Sequence, residues 1–314
     1  MARLTLKQLR YFEALARLQH FGRAADVCAI SQPALSLQIR ELEETLGAPL
    51  FERGPRQVRP TAFAEQVLPR AQQILQATAE LEALARASQG TFSGPLRLGI
   101  IPTIAPYLLP QLMRRLTEDF PGLDLSLRET VTPRLITELM EGRLDLALIA
   151  LPVSEPSLEE VELFAENFVL VRPIDQAHIP VPGPESLREM RLLLLEEGHC
   201  FREQALSFCG LDGARPREVL DGSSLTTLVQ MVGSGIGVTL IPEMAVPVET
   251  RLAPVSVVHF AEPQPRRTLG MVWRRSNPLA AQFRRVAETA QQVLTEGAAE
   301  PGSAQRGRSE TKNA

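Results

Sequence analysis

Two of the chain's three cysteines, Cys200 and Cys209, lie nine positions apart in the segment EEGHCFREQALSFCG. The apolar residues between them share one helical face, which predicts a short helix over residues 201–208. Cys200 then lies at the N-terminal end of this helix, where the helix dipole lowers a thiol pKa, and Cys209 lies at the C-terminal end, where it raises one. His199 and Arg202 are adjacent donors. We therefore expect Cys200 to be the more reactive thiolate.

The spacing of these cysteines has a geometric consequence. Nine residues of helix rise by roughly 13 Å, whereas the Cα atoms of a disulfide lie within about 7 Å of each other. A Cys200–Cys209 bridge would therefore require the helix to unwind, with sulfenic acid at Cys200 as the intermediate that Cys209 captures. Two alternatives remain open. Both cysteines are inert and buried, or they join His199 in a zinc site that lacks a fourth ligand and the usual short cysteine spacing.

Composition and charge restrict the class of protein. A length of 314 residues predicts about two domains, and the composition, 44% hydrophobic and 22% charged, is that of a globular protein. The chain has neither an apolar run of about 18 residues nor a signal peptide, so we expect a cytoplasmic protein without membrane association. In that reducing compartment a disulfide is expected to be transient. Residues 1–60 carry three more basic than acidic side chains although the net charge is −4, which favours a polyanion as partner of the N-terminal segment.

The N-terminal segment predicts three helices. The apolar spacing indicates a helix over 5–19, and a second, short helix contains Cys28, which we interpret as a small buried hydrophobe. A third helix has Ser31 as its N-cap and ends at Gly47. Two short helices joined tightly are typical of a helix-turn-helix. The exposed face of the third helix offers groups for base edges and phosphates, namely Gln32, Pro33, Ser36 and Arg40.

A basic turn follows the third helix. The segment LFERGPRQVRPT carries Arg53 and Arg56 around a Gly-Pro pair, as in a β-wing along a DNA backbone. Periodicity alone supports an ordinary three-helix packing module equally well. However, FGRAADVCAISQPALSLQIRELEETLGAPLFERGPRQVRPTAFAE resembles the winged helix-turn-helix of LysR-type transcriptional regulators. The resemblance implies that double-stranded promoter DNA is a partner.

The remainder of the chain predicts an α/β fold. A helix without glycine precedes alternating strands and helices, which indicates a largely parallel sheet in two lobes. These lobes resemble the periplasmic-binding-protein-like regulatory domain of the same family. The expected organisation is a winged helix-turn-helix domain over 1–62, a linker (dimerisation) helix over 63–92, a two-lobed redox-sensing regulatory domain over 93–297 and a disordered tail over 298–314.

A narrower resemblance concerns the regulatory domain. The segments SGPLRLGIIPTIAPYLLP, EEGHCFREQALSFC, LIPEMAVP and PRRTLGMVWR are similar to peroxide-sensing members of the family. The resemblance implies that Cys200 reacts with hydrogen peroxide and that Cys209 resolves the product as a disulfide. It implies a peroxide pocket formed by Thr103, Thr132, His199 and Arg267. Glu203 stands where those members usually have aspartate, three residues after the reactive cysteine.

The resemblance implies a homodimeric or homotetrameric activator of antioxidant genes. It would bind promoter DNA, contact RNA polymerase, and require neither a cofactor nor a metal. One alternative is a LysR-type regulator that binds a small metabolite between its lobes and has inert cysteines. A thiol peroxidase enzyme is a second alternative, but the basic helix-turn-helix argues against it.

Overall fold

A computed structural model describes most of the chain, over residues 4–53, 58–87, 92–187, 189–198, 200–208 and 219–299. The chain divides into two compact units, Met1–Gln89 and Gly90–Ala314. Each unit buries hydrophobic residues of its own.

Within its described residues, the first unit contains four helices and one β-hairpin. In chain order they are α1 (Leu6–Leu18), α2 (Phe21–Val27), α3 (Gln32–Leu46), β1 (Phe51–Arg53), β2 (Val58–Pro60) and α4 (Ala62–Ala87). The predicted ends of α3 are confirmed, because the Ser31 side chain accepts a hydrogen bond from Ala34 N and Gly47 adopts a left-handed conformation with φ 73°. The fully buried core includes Phe12, Leu15, Leu35, Ile39 and Leu42. This arrangement holds the N-terminal half of α3 on the surface.

Two details of this unit differ from expectation or extend it. Cys28 does not lie inside α2 but caps its C-terminal end, and it is only partly buried. The predicted wing is the antiparallel hairpin of β1 and β2, in which Arg53 ends the first strand, while Arg56 lies outside the described residues.

Helix α4 is 26 residues long and leaves Leu81 67% exposed, together with the neighbouring apolar Ile74 and Leu84.

The second unit is built on a nine-stranded sheet. Its elements are β3 (Gly94–Ile100), α5 (Ala105–Asp119), β4 (Leu123–Glu129), α6 (Thr132–Met140), β5 (Leu146–Leu151), β6 (Leu158–Pro173), α7 (Pro184–Leu187), β7 (Leu192–Leu195), α8 (Cys200–Phe208), β8 (Val219–Gly222), α9 (Leu225–Gly233), β9 (Val238–Pro242), α10 (Val246–Glu249), β10 (Val255–His259), β11 (Arg266–Arg274) and α11 (Ala280–Ala299). The strand order is β4-β3-β5-β11-β6-β9-β7-β8, and β10 also pairs with β6.

The sheet forms two lobes. The first lobe packs β3, β4, β5 and β11 against α5, α6 and α11, and the second packs β7 and β9 against α8 and α9. The 16-residue strand β6 belongs to both, because it pairs with β11 up to Asn167 and with β9 and β10 from Phe168 onward. A bulge in β6 lies opposite Gly270, where a Cβ atom would be 2.8 Å from Val161 O. The α/β prediction is confirmed.

The prediction of a largely parallel sheet was wrong in one respect. Among the described strands, the four pairings made by β3 and β7 are parallel, whereas the four made by β6 and β11 are antiparallel. The sheet is therefore mixed, because β6 and β11 cross between two parallel halves. Helix α11 extends to Ala299, past the predicted start of the tail at residue 298, and the remainder of that tail lies outside the described residues.

Candidate functional site

Both lobes repeat the same strand order. Strand β3 lies between β4 and β5, and strand β7 lies between β8 and β9. In parallel α/β sheets, ligands bind outside the carboxyl ends of the strands, where successive connections leave in opposite directions. Three predicted site residues occupy such positions, since Thr103 follows β3, Thr132 begins the helix after β4 and Cys200 begins the helix after β7. Topology thus places these three residues at comparable positions of the two lobes.

A cleft of about 330 Å³ lies at these strand ends. Its walls come from both lobes and are rich in hydroxyl groups and carboxylates, from Thr103, Tyr107, Glu129, Thr130, Ser223, Ser224, Thr226 and Glu249. Leu195, the last residue of β7, and Val131, which precedes α6, add apolar surface. The volume and the mixture of apolar walls with convergent polar groups suit a small polar ligand.

Arg267 is a buried cation that contacts one residue of the cleft. Its side chain is 0% exposed, its Nη1 donates to Oγ1 of Thr103 at 2.8 Å, and its Nη2 donates to the Thr103 carbonyl at 3.1 Å. Thr103 itself is 2% exposed and lines the cleft. Because Oγ1 of Thr103 accepts from Arg267, its own hydroxyl proton is left to donate elsewhere. The structure therefore brings together two of the residues that the resemblance predicted.

Glu166 is a residue of this site that sequence reasoning missed. Its Oε1 accepts from Nε of Arg267 at 2.8 Å, and its Oε2 accepts from the backbone N–H of Met244 at 3.2 Å. Glu166 lies on β6, whereas Met244 follows β9 in the second lobe. The available signal was an acid at the start of the apolar run ENFVLVRP. Glu166 thus neutralises a buried cation and ties it to the second lobe.

Tyr107 and Glu249 form a second contact between the lobes. The Tyr107 hydroxyl, on α5, donates to Oε1 of Glu249, on α10, at 2.7 Å. Burial first, and then the hydrogen bond to Glu249, raises the pKa of Tyr107 well above its ordinary value. Since Glu249 is only 7% exposed, this bond joins two groups that have lost most of their water. It closes one side of the cleft.

Thr132 begins α6 close to the turn that leads to Cys200. Its Oγ1 is buried and has no hydrogen-bond partner among the described residues. A Cβ atom at Gly198 would lie 3.7 Å from Cγ2 of Val131, so the turn before Cys200 packs against the start of α6. Gly198 has φ 94°, a conformation that favours glycine and redirects the chain from β7 into α8. The beginnings of α6 and α8 are therefore neighbours across the lobes.

Helix α8 begins at Cys200, one residue before the predicted start, and ends at Phe208, as predicted. Arg202 anchors it, because Nη1 donates to the Leu195 carbonyl at 2.8 Å and pairs with the Asp221 carboxylate. Glu203 is exposed and lies in the first turn of the helix, so the structure does not bury it beside Thr103 and Arg267. His199 and Cys209 lie outside the described residues, and so does any pairing that involves them.

The predicted DNA-contacting residues of α3 share one surface. Gln32, Pro33 and Arg40 are exposed, and Ser36 is half-buried. Leu35 and Ile39 point the other way and are completely buried. A helix-turn-helix that presents its second helix in this way is typical of DNA-binding domains.

The described part of the chain contains neither a cluster of metal-binding side chains nor a membrane-spanning helix. No group of three or more His, Cys, Asp or Glu side chains there is arranged to hold a metal ion. No helix in those ranges combines the length and apolar character needed to cross a bilayer. The zinc alternative depends on His199 and Cys209, which are not in those ranges.

Comparisons with known proteins agree with this geometry. Residues 6–65 match the model of the bacterial regulatory helix-turn-helix protein, lysR family, and residues 89–295 match the LysR substrate binding domain. A probable hydrogen peroxide-inducible genes activator from Streptomyces viridosporus is 42% identical over 294 residues, with 92% of this chain and 94% of the relative covered. The DNA-binding transcriptional dual regulator OxyR of Escherichia coli K12 is 39% identical over 287 residues, with 91% and 94% covered.

Solved structures give the same result. A full-length OxyR variant from Pseudomonas aeruginosa matches with a TM-score of 0.74 at 37% identity, over 92% of this chain and 95% of that one. A hydrogen peroxide-bound OxyR variant from Corynebacterium glutamicum matches with a TM-score of 0.64 at 36% identity, over 95% and 94%. The chain therefore belongs to the LysR family of bacterial helix-turn-helix regulatory proteins.

Proposed function

We propose that this protein is a transcriptional regulator that senses hydrogen peroxide through Cys200. The observation that carries the proposal is the buried Arg267–Thr103 pair at the strand ends of the first lobe. Cys200 lies at the corresponding position of the second lobe, at the start of the helix that follows β7. A cation and a free hydroxyl proton are the groups that a small polar oxidant needs. Relatives that cover more than nine-tenths of the chain carry names that refer to hydrogen peroxide, which supports the same assignment.

The proposed reaction consumes one peroxide molecule. The Cys200 thiolate attacks one oxygen, the O–O bond breaks, and hydroxide leaves and takes up a proton to become water, so the sulfur becomes a sulfenic acid. Thr103 and Thr132 hold the two peroxide oxygens, with His199 as a further donor. The positive charge of Arg267 stabilises the developing hydroxide. Glu203, exposed in the first turn of α8, acts only through the solvent-facing side of that helix.

The proposed switch follows from the second thiol. Attack of the Cys209 sulfur on the sulfenic acid forms the disulfide and releases a second water, so the two cysteines together donate two electrons. The bridge requires α8 to unwind and to give up the contacts of Arg202 with Leu195 and Asp221. The altered second lobe changes how the protein, as a homodimer or homotetramer, holds promoter DNA and contacts RNA polymerase. The protein acts in the cytoplasm and is not an enzyme.

One observation favours a second candidate function. The cleft is large for hydrogen peroxide alone, and its hydroxyl and carboxylate groups would suit a small polar metabolite. In that case the cysteines are inert and the ligand alone sets the angle between the lobes. A ligand-dependent thermal shift, combined with DNA binding that ignores peroxide, would support this alternative.

The test of the proposal compares three proteins after addition of one equivalent of hydrogen peroxide. Mass spectrometry of the wild type should find oxidation at Cys200 and then a bridge to Cys209. Cys200→Ser should lose the response of DNA binding to peroxide, and its reduced form should bind DNA as the wild type does. Cys28→Ser is the matched control and should respond normally, because burial, supported by Glu13, raises the pKa of the Cys28 thiol and leaves it protonated. Sensing that disappears in Cys28→Ser and survives in Cys200→Ser would refute the proposal.

A further inference from the structure

Helix α3 presents one continuous exposed face. The exposed residues Pro33, Leu37, Arg40 and Glu44 follow one another at spacings of four, three and four, which places them on the same side of the helix. The opposite side is completely buried and consists of Leu35, Ile39 and Leu42. Leu37 is 55% exposed, so a large apolar side chain lies at the centre of a face that is otherwise polar or small.

The position of Leu37 distinguishes it from an ordinary exposed leucine. Single apolar side chains on a protein surface are common and need no explanation. Leu37, however, directly follows Ser36, and Arg40 lies one turn further along the same face. These neighbours belong to the surface that we propose for DNA. When a recognition helix lies in the major groove, the N-terminal half of the helix faces the bases, and Leu37 is the sixth residue of α3.

We propose that Leu37 reads the 5-methyl group of a thymine in the major groove, and thereby determines the base preferred at one position of each half-site. This inference rests on the proposed binding of double-stranded DNA by the first unit. The thymine methyl is the apolar group that base pairs display in the major groove. A leucine side chain has no donor or acceptor, and polar base edges buried against it would lose hydrogen bonds to water.

The basic residue Arg40 supports DNA rather than a second copy of the chain as the occupant. Arg40 is exposed, and within the described residues no hydrogen bond or ion pair joins it to an acid, so it is available to a phosphate. Gln32 and Ser36 supply donors and acceptors on the flank of Leu37. An apolar contact flanked by such groups reproduces the pattern of a thymine methyl between polar base edges.

The experiment is a double-mutant cycle between one side chain and one methyl group. The probe is a duplex selected from a random library by the full-length wild-type protein, in which each thymine is replaced singly by deoxyuridine. Wild type should lose about fourfold in affinity at one thymine of each half-site, the factor expected for one buried methyl-sized group. Leu37→Ala should weaken binding to the thymine duplex and show no further loss at that deoxyuridine. Leu37→Met should keep the discrimination.

Leu6→Ala serves as the matched control, because Leu6 is an apolar residue, 42% exposed, on α1. Its discrimination between thymine and deoxyuridine should equal that of wild type. If wild type and Leu37→Ala lose affinity equally at each deoxyuridine, the inference is wrong while DNA binding stands. If the wild type selects no duplex, both the inference and the proposed function are wrong. A change of oligomeric state in Leu37→Ala, measured by sedimentation, would assign Leu37 to a contact between copies and overturn the inference.

Discussion

Nη2 of Arg267 lies 2.6 Å from Oε1 of Glu166, and the two side chains are 0% and 2% exposed. Fully buried ion pairs are uncommon in proteins, because the desolvation of each charge costs several kcal/mol and only good pairing offsets this cost. Here the hydrogen bonds to Thr103 and Met244 complete the shell around both charges. The pair therefore supports the wall of the cleft to which Thr103 belongs.

Glu166→Gln should destabilise the protein strongly. The amide keeps the shape of the carboxylate but leaves the Arg267 charge uncompensated, which costs about 3–5 kcal/mol. Chemical denaturation of the full chain measures this loss. Glu159→Gln is the control, because its partner Arg284 is 58% exposed and the loss there should stay below about 1 kcal/mol. Equal losses in the two variants would contradict the role of burial.

Tyr107→Phe should loosen the contact between the two lobes. It leaves the buried Glu249 carboxylate without its 2.7 Å donor, a loss of about 1–3 kcal/mol that denaturation should detect. Because the pKa of Tyr107 is raised, the wild type should show the tyrosinate absorbance of Tyr107 only above the pH at which a free phenol ionises. Tyr107→Phe should lack this absorbance. Ionisation of that phenol in the ordinary range, with the fold intact, would contradict the structure. Tyr11→Phe is the control, since no hydrogen bond of the Tyr11 hydroxyl is found within the described residues.

Substitutions in the wing and in α3, the predicted recognition helix, should change DNA binding in different ways. Arg53→Ala combined with Arg56→Ala should weaken binding to all duplexes alike and reduce the slope of log K against log salt by about one unit for each lost phosphate contact. Gln32→Ala should instead change which sequences the protein selects. Titration of labelled duplexes at several salt concentrations separates the two effects. An unchanged salt slope in the double variant would remove the arginines from the DNA contact.

Arg202→Met should make the disulfide form faster. Arg202 holds α8 to Leu195 and Asp221, and its loss lowers the free energy needed to unwind the helix, by about 1.5 kcal/mol or roughly tenfold in the unwound population. Mass spectrometry after a fixed pulse of peroxide measures the Cys200–Cys209 crosslink. Hydrogen exchange over residues 197–215 should rise on oxidation of the wild type. A crosslink that forms without any change of exchange would contradict the unwinding of α8.

The sequence predicted the parallel halves of the sheet because their strands are short, apolar and separated by amphipathic helices. The apolar run ENFVLVRP predicts a strand only from residue 166, whereas β6 begins at Leu158. Its first half, LEEVELFA, carries three acidic residues, which interrupt the apolar pattern that predicts a buried strand. The strand is nevertheless paired on both sides in part of its length. The short strands β8 and β10 gave too few residues for a recognisable period. The sequence pattern therefore predicts a more parallel sheet than the structure has.

The candidate site was predictable where a local motif carries it. Thr103, Cys200 and the face of α3 follow from segments that resemble a known family. Glu166 could not be found in this way, because its partner Arg267 lies 101 residues away and periodicity reports only neighbours within one element. The contact of Tyr107 with Glu249 spans 142 residues and was missed for the same reason. Contacts between the lobes are a property of the tertiary fold.

Strand β6 has a mechanical consequence for signalling. Because one continuous strand is hydrogen-bonded into both lobes, with the change of partners at Asn167 and Phe168, the lobes are not joined there by a flexible tether. A rotation of one lobe against the other therefore includes a change in the twist of this strand. Such a deformation is elastic, since the ladder on each side returns the strand to its resting twist. Under the proposed unwinding of α8, the second lobe would therefore apply a torsion to the first through β6, and this torsion would relax when α8 forms again.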